Sequence, residues 1–345
     1  MMTFSPRSTQ WFRIFLLGLV LVLNGCGKTD TLYQQQSYVF GTLVEISIYG
    51  ASENKAKAAA NEVLREFDRL HQTFHAWKPS PLRELNQAIA NGETRKVSPE
   101  MAAAIRDAAH WSRLSNGLFN PAIGQLIRHW GFQSDQFQPV RVDTAIIASL
   151  LRAQPRMSDL SVSPDNVVTT TNRMVQLDFG GYAKGLALDI AAQKLRAAGI
   201  ESALVNIGGN LIAVGKHGAR PWHIGVQHPR QPRAMVELDL QDGEAIGTSG
   251  DYQRFFELDG KRYCHIIDPR SGWPASGTQA ITVLAPAGPH AGVISDVASK
   301  PAFMSGAAWQ TTLAPFGVVA AMRVDETGKM DMTPAMQQRA RRITQ

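Results

Sequence analysis

A mixed α/β (α+β) domain is what this 345-residue sequence predicts. Three observations point to it. Several short runs alternate apolar and polar residues, the mark of half-buried strands. Other stretches carry apolar residues at helical spacing, one of them behind a good N-cap. The two kinds mix along the chain without the regular alternation of a doubly wound parallel sheet. A hydrophobic content of 44% is ordinary for a chain with a real core.

The first residues stand apart from that domain. Arg7 and Arg13 precede the uncharged run IFLLGLVLVL at 14–23. It is short for a membrane span and has the length of a signal-peptide core. LNGC at 23–26 looks like a bacterial lipobox, so residues 1–26 read as a lipoprotein signal peptide and Cys26 as the lipidated residue. Cys264 is then the only other cysteine, and no intramolecular disulfide is expected. Residues 27–37, polar and Gln-rich, read as a tether. Residues 38–335 read as the folded domain, and 336–345, with Arg339, Arg341 and Arg342, as a solvated basic tail.

Within the domain, YVFGTLVEISIYG alternates and reads as a strand. The next helix spans 52–71, with Ala56, Ala59, Val63, Phe67 and Leu70 on one face; Pro79 and Pro81 end it. SPEMAAAIRDAAHWSRLS is a second helix, with Ser98 as N-cap and Pro99 in its first turn. Residues 135–164 look like an irregular connector. VQLDFGGYAKGLALDIAAQKLRAAGI reads as strand, glycine turn and long helix, and SALVNIGGNLIAVG as two strands around a glycine pair. Further strands follow in WHIGVQHP, MVELDL and AIGTSGDYQRFFELDGKRYCHIIDP, with a hairpin turn at Asp259–Gly260. ITVLAP and a final pair around Thr327–Gly328 complete the set.

The formal charge of +6 suggests an anionic ligand or an anionic membrane surface. The basic residues are scattered rather than gathered on one helix, so no nucleic-acid module is indicated. DFGGYAKG at 178–185 puts a glycine pair between strand and helix, where backbone can approach a ligand and the helix N-terminus offers N–H groups to a phosphate; Lys184 adds a charge. Glycine at such a turn is often only geometry. His265 and Asp268 flank an apolar pair and would face apart in a strand. Cys264 beside His265 would face away from it, which argues against a nucleophilic pair. Phe40, Phe74, Trp77, Trp111, Phe119 and Trp130 are dispersed as core aromatics usually are, though some could stack on a flat ligand.

Taken in order, these segments resemble the ApbE family of FAD:protein FMN transferases from about residue 38 to 317. The matching segments are FGTLVEISIYG, FHAWKPSPLRELN, GLFNPAIGQLIRHWGF, LDFGGYAKGLALDIAAQKLRAAGIESALVNIGGN, IGVQHP, TSGDYQRFFELDGKRYCHIIDPRSGWP and ITVLAP. The resemblance implies the ApbE-type mixed α/β fold. It implies binding of FAD and Mg²⁺, and transfer of FMN to a Thr hydroxyl of an acceptor protein with release of AMP. The acceptor would be a flavoprotein subunit of a membrane or periplasmic redox complex. The address would be the periplasmic face of a bacterial membrane, held through the lipid anchor. Carried over by position, Phe40, Trp77, Leu118, Phe119, Asn120, Asp178, Lys184 and Ile267 would contact the flavin nucleotide. His265 would assist catalysis. The metal would take the backbone carbonyl of Gly181 and side chains from the segment that starts at Asp296.

That segment departs from the family pattern. The family has D-A-L-x-T-A-L-F-V-M-G; this chain has DVASKPAFMSG, so Lys300 stands where Thr is expected. A charged ammonium only donates and cannot ligate a metal. Ser299 is the alternative hydroxyl. Pro301 disfavours helical geometry at Lys300, so Asp296 and Lys300 are not expected to form a plain helical ion pair. Asn120 likewise replaces an Asp of the family. A transferase of altered metal dependence is the leading expectation. A non-transferring FAD/FMN-binding lipoprotein that supports maturation of a partner redox enzyme is the alternative.

Overall fold

The computed structural model describes residues 31–343; the expected signal peptide and Cys26 lie outside them. The frame is an eight-stranded sheet. In chain order its strands are β1 (Leu32–Val39), β2 (Thr42–Tyr49), β3 (Ala203–Ile207), β4 (Asn210–Val214), β5 (Ala245–Gly250), β6 (Thr278–Ala285), β7 (Ala320–Asp325) and β8 (Met330–Met332). Spatial order follows chain order, and each neighbouring pair is antiparallel. Helices enter between strands rather than between every pair, which is the mixed α/β class expected.

The helical layer contains α1 (Glu53–Thr73), α2 (Pro81–Asn91), α3 (Pro99–Leu114), α4 (Ala183–Ala197) and α5 (Ala291–Met304). The opposite face of the sheet is covered by the hairpin of Trp222–Gln227 and Ala234–Leu240. β6 is buried along its whole length. Its Ile281 and Val283 join the helical core, while Ala280 and Leu284 join the hairpin core. This explains why ITVLAP is a nearly continuous apolar run: a strand covered on both faces need not alternate.

Three sequence expectations are corrected. Residues 32–37 are not a tether but most of β1. Their pattern is hidden because an edge strand can be satisfied by polar side chains: Gln34 Nε2 donates to Ser47 Oγ (3.2 Å), Gln35 Nε2 to Asn61 Oδ1 (2.9 Å) and Gln36 Nε2 to Glu45 Oε1 (2.7 Å). The basic tail is folded up to Arg342. Arg339 ends the helix Pro334–Arg339 and pairs with Glu244 at 2.7 Å, and Arg341–Arg342 adds a short strand to Ala234–Leu240. The connector 135–164 holds a helix, Thr144–Ala153, whose N-cap Asp143 accepts the Ala145 N–H at 2.8 Å.

Two glycines let α4 and α5 touch backbone to backbone. A Cβ on Gly185 would lie 2.5 Å from the Gly292 carbonyl oxygen, and one on Gly292 would lie 2.4 Å from the Gly185 carbonyl oxygen. Real Cβ atoms do not approach so closely, so the crossing requires glycine on both sides. It aims the N-terminal turn of α4 at the middle of α5.

Candidate active site

The turn before α4 is built by Asp178. Its Oδ1 accepts the Gly180 N–H (2.8 Å) and its Oδ2 accepts Gln133 Nε2 (2.9 Å). Both oxygens of this buried carboxylate are therefore used to shape the glycine turn. Lys184 follows in the first turn of α4. One residue on, the Gly185 N–H donates to Asp296 Oδ2 at 3.0 Å, across the helix crossing.

Asp296 and Lys300 form a helical ion pair after all. α5 runs unbroken through Pro301, and Lys300 Nζ reaches both Asp296 Oδ1 and the Asp296 carbonyl, the latter at 2.8 Å. The reason is tertiary. Pro301 costs one backbone hydrogen bond and some steric strain, about 3 kcal/mol. Ala302 and Phe303 in the same turn are completely buried, and burying a Phe side chain offsets about 1.5–3 kcal/mol of that. Burial alone would raise the Asp296 carboxyl, but Lys300 and Lys184 outweigh it and hold the group below its ordinary range.

His265 sits among three cations. Burial pushes its imidazole down to about 3, helped by the charges of Arg254, Lys184 and Lys300. The ring is therefore neutral at physiological pH. Nδ1 lies 3.3 Å from the Arg254 carbonyl oxygen, which can only accept, so Nδ1 carries the proton and Nε2 keeps a lone pair. Lys184 is also affected: burial pulls its ammonium down to about 8, against the pull of Asp296. A cluster of cations around one carboxylate and a neutral imidazole suits a polyanionic ligand that carries its own charge into the site.

On one side of this cluster stands a wall of rings. Phe40 meets His71 edge-on (5.7 Å between centroids), His71 meets His75 (4.9 Å), and His75 meets Trp77 (4.5 Å). Arg254 Nη2 donates to the Phe40 carbonyl at 3.0 Å and ties the wall to the cations. Phe74, Trp111, Phe119 and Trp130 are buried, whereas Phe40 and Trp77 keep part of their surface open. Near the turn, the Phe119 ring lies against Gly181: a Cβ there would be 3.8 Å from Phe119 Cε2. The neighbours Leu118 and Asn120 line a cleft of about 520 Å³, with Arg113, Gln154 and Arg156 on its walls. Asn120 is braced by Pro155, whose carbonyl accepts its Nδ2 at 2.9 Å.

The structure thus gathers Phe40, Trp77, Phe119, Asp178, Gly181, Lys184, His265, Asp296 and Lys300 into one region, whereas Leu118 and Asn120 line a cleft whose walls include none of these side chains. Two further expected residues stand apart. The Ile267 side chain is packed in a core with Leu126, Trp130 and Phe256. Ser299 is buried; its hydroxyl donates to the Asp296 carbonyl (2.6 Å) and pairs with Ser249 Oγ (2.7 Å). Arg254 was not singled out from the sequence, although it lies in TSGDYQRFF. A lone Arg between a turn and a strand gives no local signal; only the fold brings it to His265. Cys264 is buried, burial pushes its thiol up to about 12, and Sγ donates to the Ala275 carbonyl at 3.5 Å, so it is not a nucleophile.

The donor set does not fit a divalent metal. Of the Asp296 oxygens, one holds the Lys300 ammonium and the other a backbone N–H. The alkyl chain of Lys300 covers Gly181, with Cε 3.1 Å from where a Cβ would stand. Ser299 is spent elsewhere, and no cluster of three His, Cys, Asp or Glu side chains able to hold a metal occurs among the described residues. Mg²⁺ and Ca²⁺ need several oxygen ligands, of which this site offers few that are free.

Comparison with known proteins agrees with this picture of the fold. The ApbE family model matches residues 40–322. A protein named FAD:protein FMN transferase from Rhodobacter capsulatus is 38% identical over 303 residues, which cover 88% of this chain and 57% of that protein. One of the same name from Klebsiella pneumoniae is 30% identical over 291 residues, covering 80% of this chain and 82% of the relative. Among solved structures, an ApbE protein from Thermotoga maritima superposes with a TM-score of 0.82 at 28% identity, over 90% of this chain and 100% of that one. The Pseudomonas stutzeri flavinyl transferase ApbE, in its apo form, gives 0.77 at 27% identity, over 90% and 96%.

Proposed function

The chain belongs to the ApbE family, and from that membership we propose that it is an FAD:protein FMN transferase. The observation that carries the reading within this chain is the neutral His265 beside Arg254, Lys184 and Lys300. In the proposed reaction a Thr hydroxyl of the acceptor attacks the FMN-side phosphorus of FAD. A new Thr–O–P bond forms and the bond from that phosphorus to the AMP phosphate breaks. His265 Nε2 takes the hydroxyl proton, and the cations balance the charge that passes to the departing AMP. Phe40 and Trp77, which keep part of their surface open, offer ring faces for the isoalloxazine.

A pKa of about 3 makes free His265 a weak base. Bound pyrophosphate would screen the three cations and raise it, so the base gains strength when substrate is present. Mg²⁺ is not part of this reading, because the donors around Asp296 do not fit it. The acceptor would be a flavoprotein subunit of a membrane or periplasmic redox complex. A lipid-anchored address on the periplasmic face of a bacterial membrane belongs to the same reading, supported by the apolar run 14–23 and by Cys26 in LNGC. The carrier alternative predicts bound flavin without turnover, and relatives named as transferases do not favour it.

The test is to incubate purified protein with FAD and a Thr-bearing acceptor. A covalently flavinylated acceptor and an equal amount of AMP are expected. His265→Ala should slow transfer by about a hundredfold or more while FAD affinity holds. Bound FAD with no transfer to any acceptor would return the carrier reading.

A further inference from the structure

We propose that Lys300 is the built-in cation of the transfer site: its ammonium, seated on Asp296 over Gly181, does the work of a divalent metal, so that this chain binds FAD and transfers FMN without one. The inference rests on the flavin-transfer reading and names what neutralises the pyrophosphate.

Three features carry it. The first is the seat. Asp296 is 1% exposed, and its two oxygens are shared between the Lys300 ammonium and the Gly185 N–H. A metal at Asp296 would have to displace the Lys300 ammonium from a charge-assisted bond to the carboxylate and from a second bond to the Asp296 carbonyl. The second is the aim. An ammonium has three donors, and two of them go to the Asp296 carboxylate and carbonyl. The third remains for a ligand, and the side chain runs across Gly181, at the glycine turn where the backbone lets a phosphate approach. The third is the charge balance. Lys184, Arg254 and Lys300 surround His265, and Asp296 opposes them. The three cations outnumber the carboxylates Asp296 and Asp178, and the surplus suits an anionic pyrophosphate diester.

The folding of α5 supports the assignment. Because the helix continues through Pro301, Lys300 falls one turn after Asp296 on the same face. Had the proline broken the helix, the ammonium would have left its seat.

The test reads FAD affinity by flavin fluorescence, and Mn²⁺ binding by electron paramagnetic resonance, in the full purified chain. Wild-type affinity for FAD should change by less than about twofold between EDTA and millimolar Mg²⁺, and Mn²⁺ should not bind. Lys300→Met keeps the alkyl chain and removes the charge; in EDTA it should weaken FAD binding by about tenfold or more. Lys300→Thr frees Asp296, so Mg²⁺ should restore its affinity and Mn²⁺ should now bind. Circular dichroism confirms that each variant is folded. If wild type loses FAD in EDTA and regains it with Mg²⁺, the proposal is wrong. It is equally wrong if folded Lys300→Met binds FAD as tightly as wild type. None of these readouts needs an acceptor, so a failure to transfer would count against the transferase reading alone.

Discussion

Helix α5 meets α4 through two buried carboxylates, and they are held in different ways. At the start of α5, Asp189 of α4 accepts the Gly292 N–H at 2.6 Å and the Val293 N–H at 2.9 Å. It caps the helix with backbone donors alone. One turn further, Asp296 of α5 accepts the Gly185 N–H of α4 and the Lys300 ammonium. Burial pushes Asp189 up to about 7 in spite of its two donors, whereas Lys300 and Lys184 keep Asp296 ionised. The contrast separates structure from chemistry. Backbone dipoles satisfy a buried carboxylate without fixing its charge; a neighbouring ammonium fixes the charge and leaves a donor over for a ligand.

The largest effect should come from the charged end. Asp296→Ala strands Lys300 without its partner and removes the acceptor of the Gly185 N–H. A loss of about 4 kcal/mol is expected from urea unfolding, since breaking a buried pair costs about 3–5 kcal/mol. A much smaller loss would mean that Lys300 is solvated and is not seated as described. Next comes the crossing that both ends share. Gly292→Ala drives a Cβ against the Gly185 carbonyl, and backbone cannot step aside as a side chain would. About 3 kcal/mol should be lost, with FAD affinity falling in parallel because the seat of Lys300 moves.

The capping end should show itself in pH dependence. The unfolded Asp189 titrates near 3.8 and the folded one near 7. Its contribution is therefore fully present below about pH 4 and lost as pH rises through about 7. Asp189→Asn should flatten that slope in denaturation series at several pH values. FAD affinity at neutral pH should stay within about twofold of wild type, because Asp189 does not face the cations. A variant that keeps the slope would assign it to other groups. The smallest effect belongs outside α5. Trp77→Ala should weaken FAD binding by about fivefold without changing unfolding, the size expected for one lost stacking ring.

How much of this was legible in the sequence depends on the range of the interaction. Ser98 with Pro99, the glycine turn at Gly180–Gly181 and the hairpin at Asp259–Gly260 are local, and each stands where the pattern put it. The identity of the site region was legible too, because motif order survives without coordinates. What failed was non-local. Gln34–Gln36 look like a tether until β2 and α1 supply partners. Pro301 looks like a helix breaker until the burial of Ala302 and Phe303 offsets its cost. Ser299 of α5 looks like a spare hydroxyl until Ser249 of β5 pairs with it. Arg254 gives no sign of reaching His265, since the contact is made by a carbonyl and a chain reversal rather than by spacing.

The most direct measurement of the account is flavin transfer with the metal removed. Wild-type protein, FAD and a Thr-bearing acceptor are combined in EDTA and, separately, in Mg²⁺, and covalent flavin on the acceptor is read by in-gel fluorescence and mass. Equal labelling in the two buffers, lost in Lys300→Met, is the result predicted here. Labelling that appears only with Mg²⁺ would contradict it.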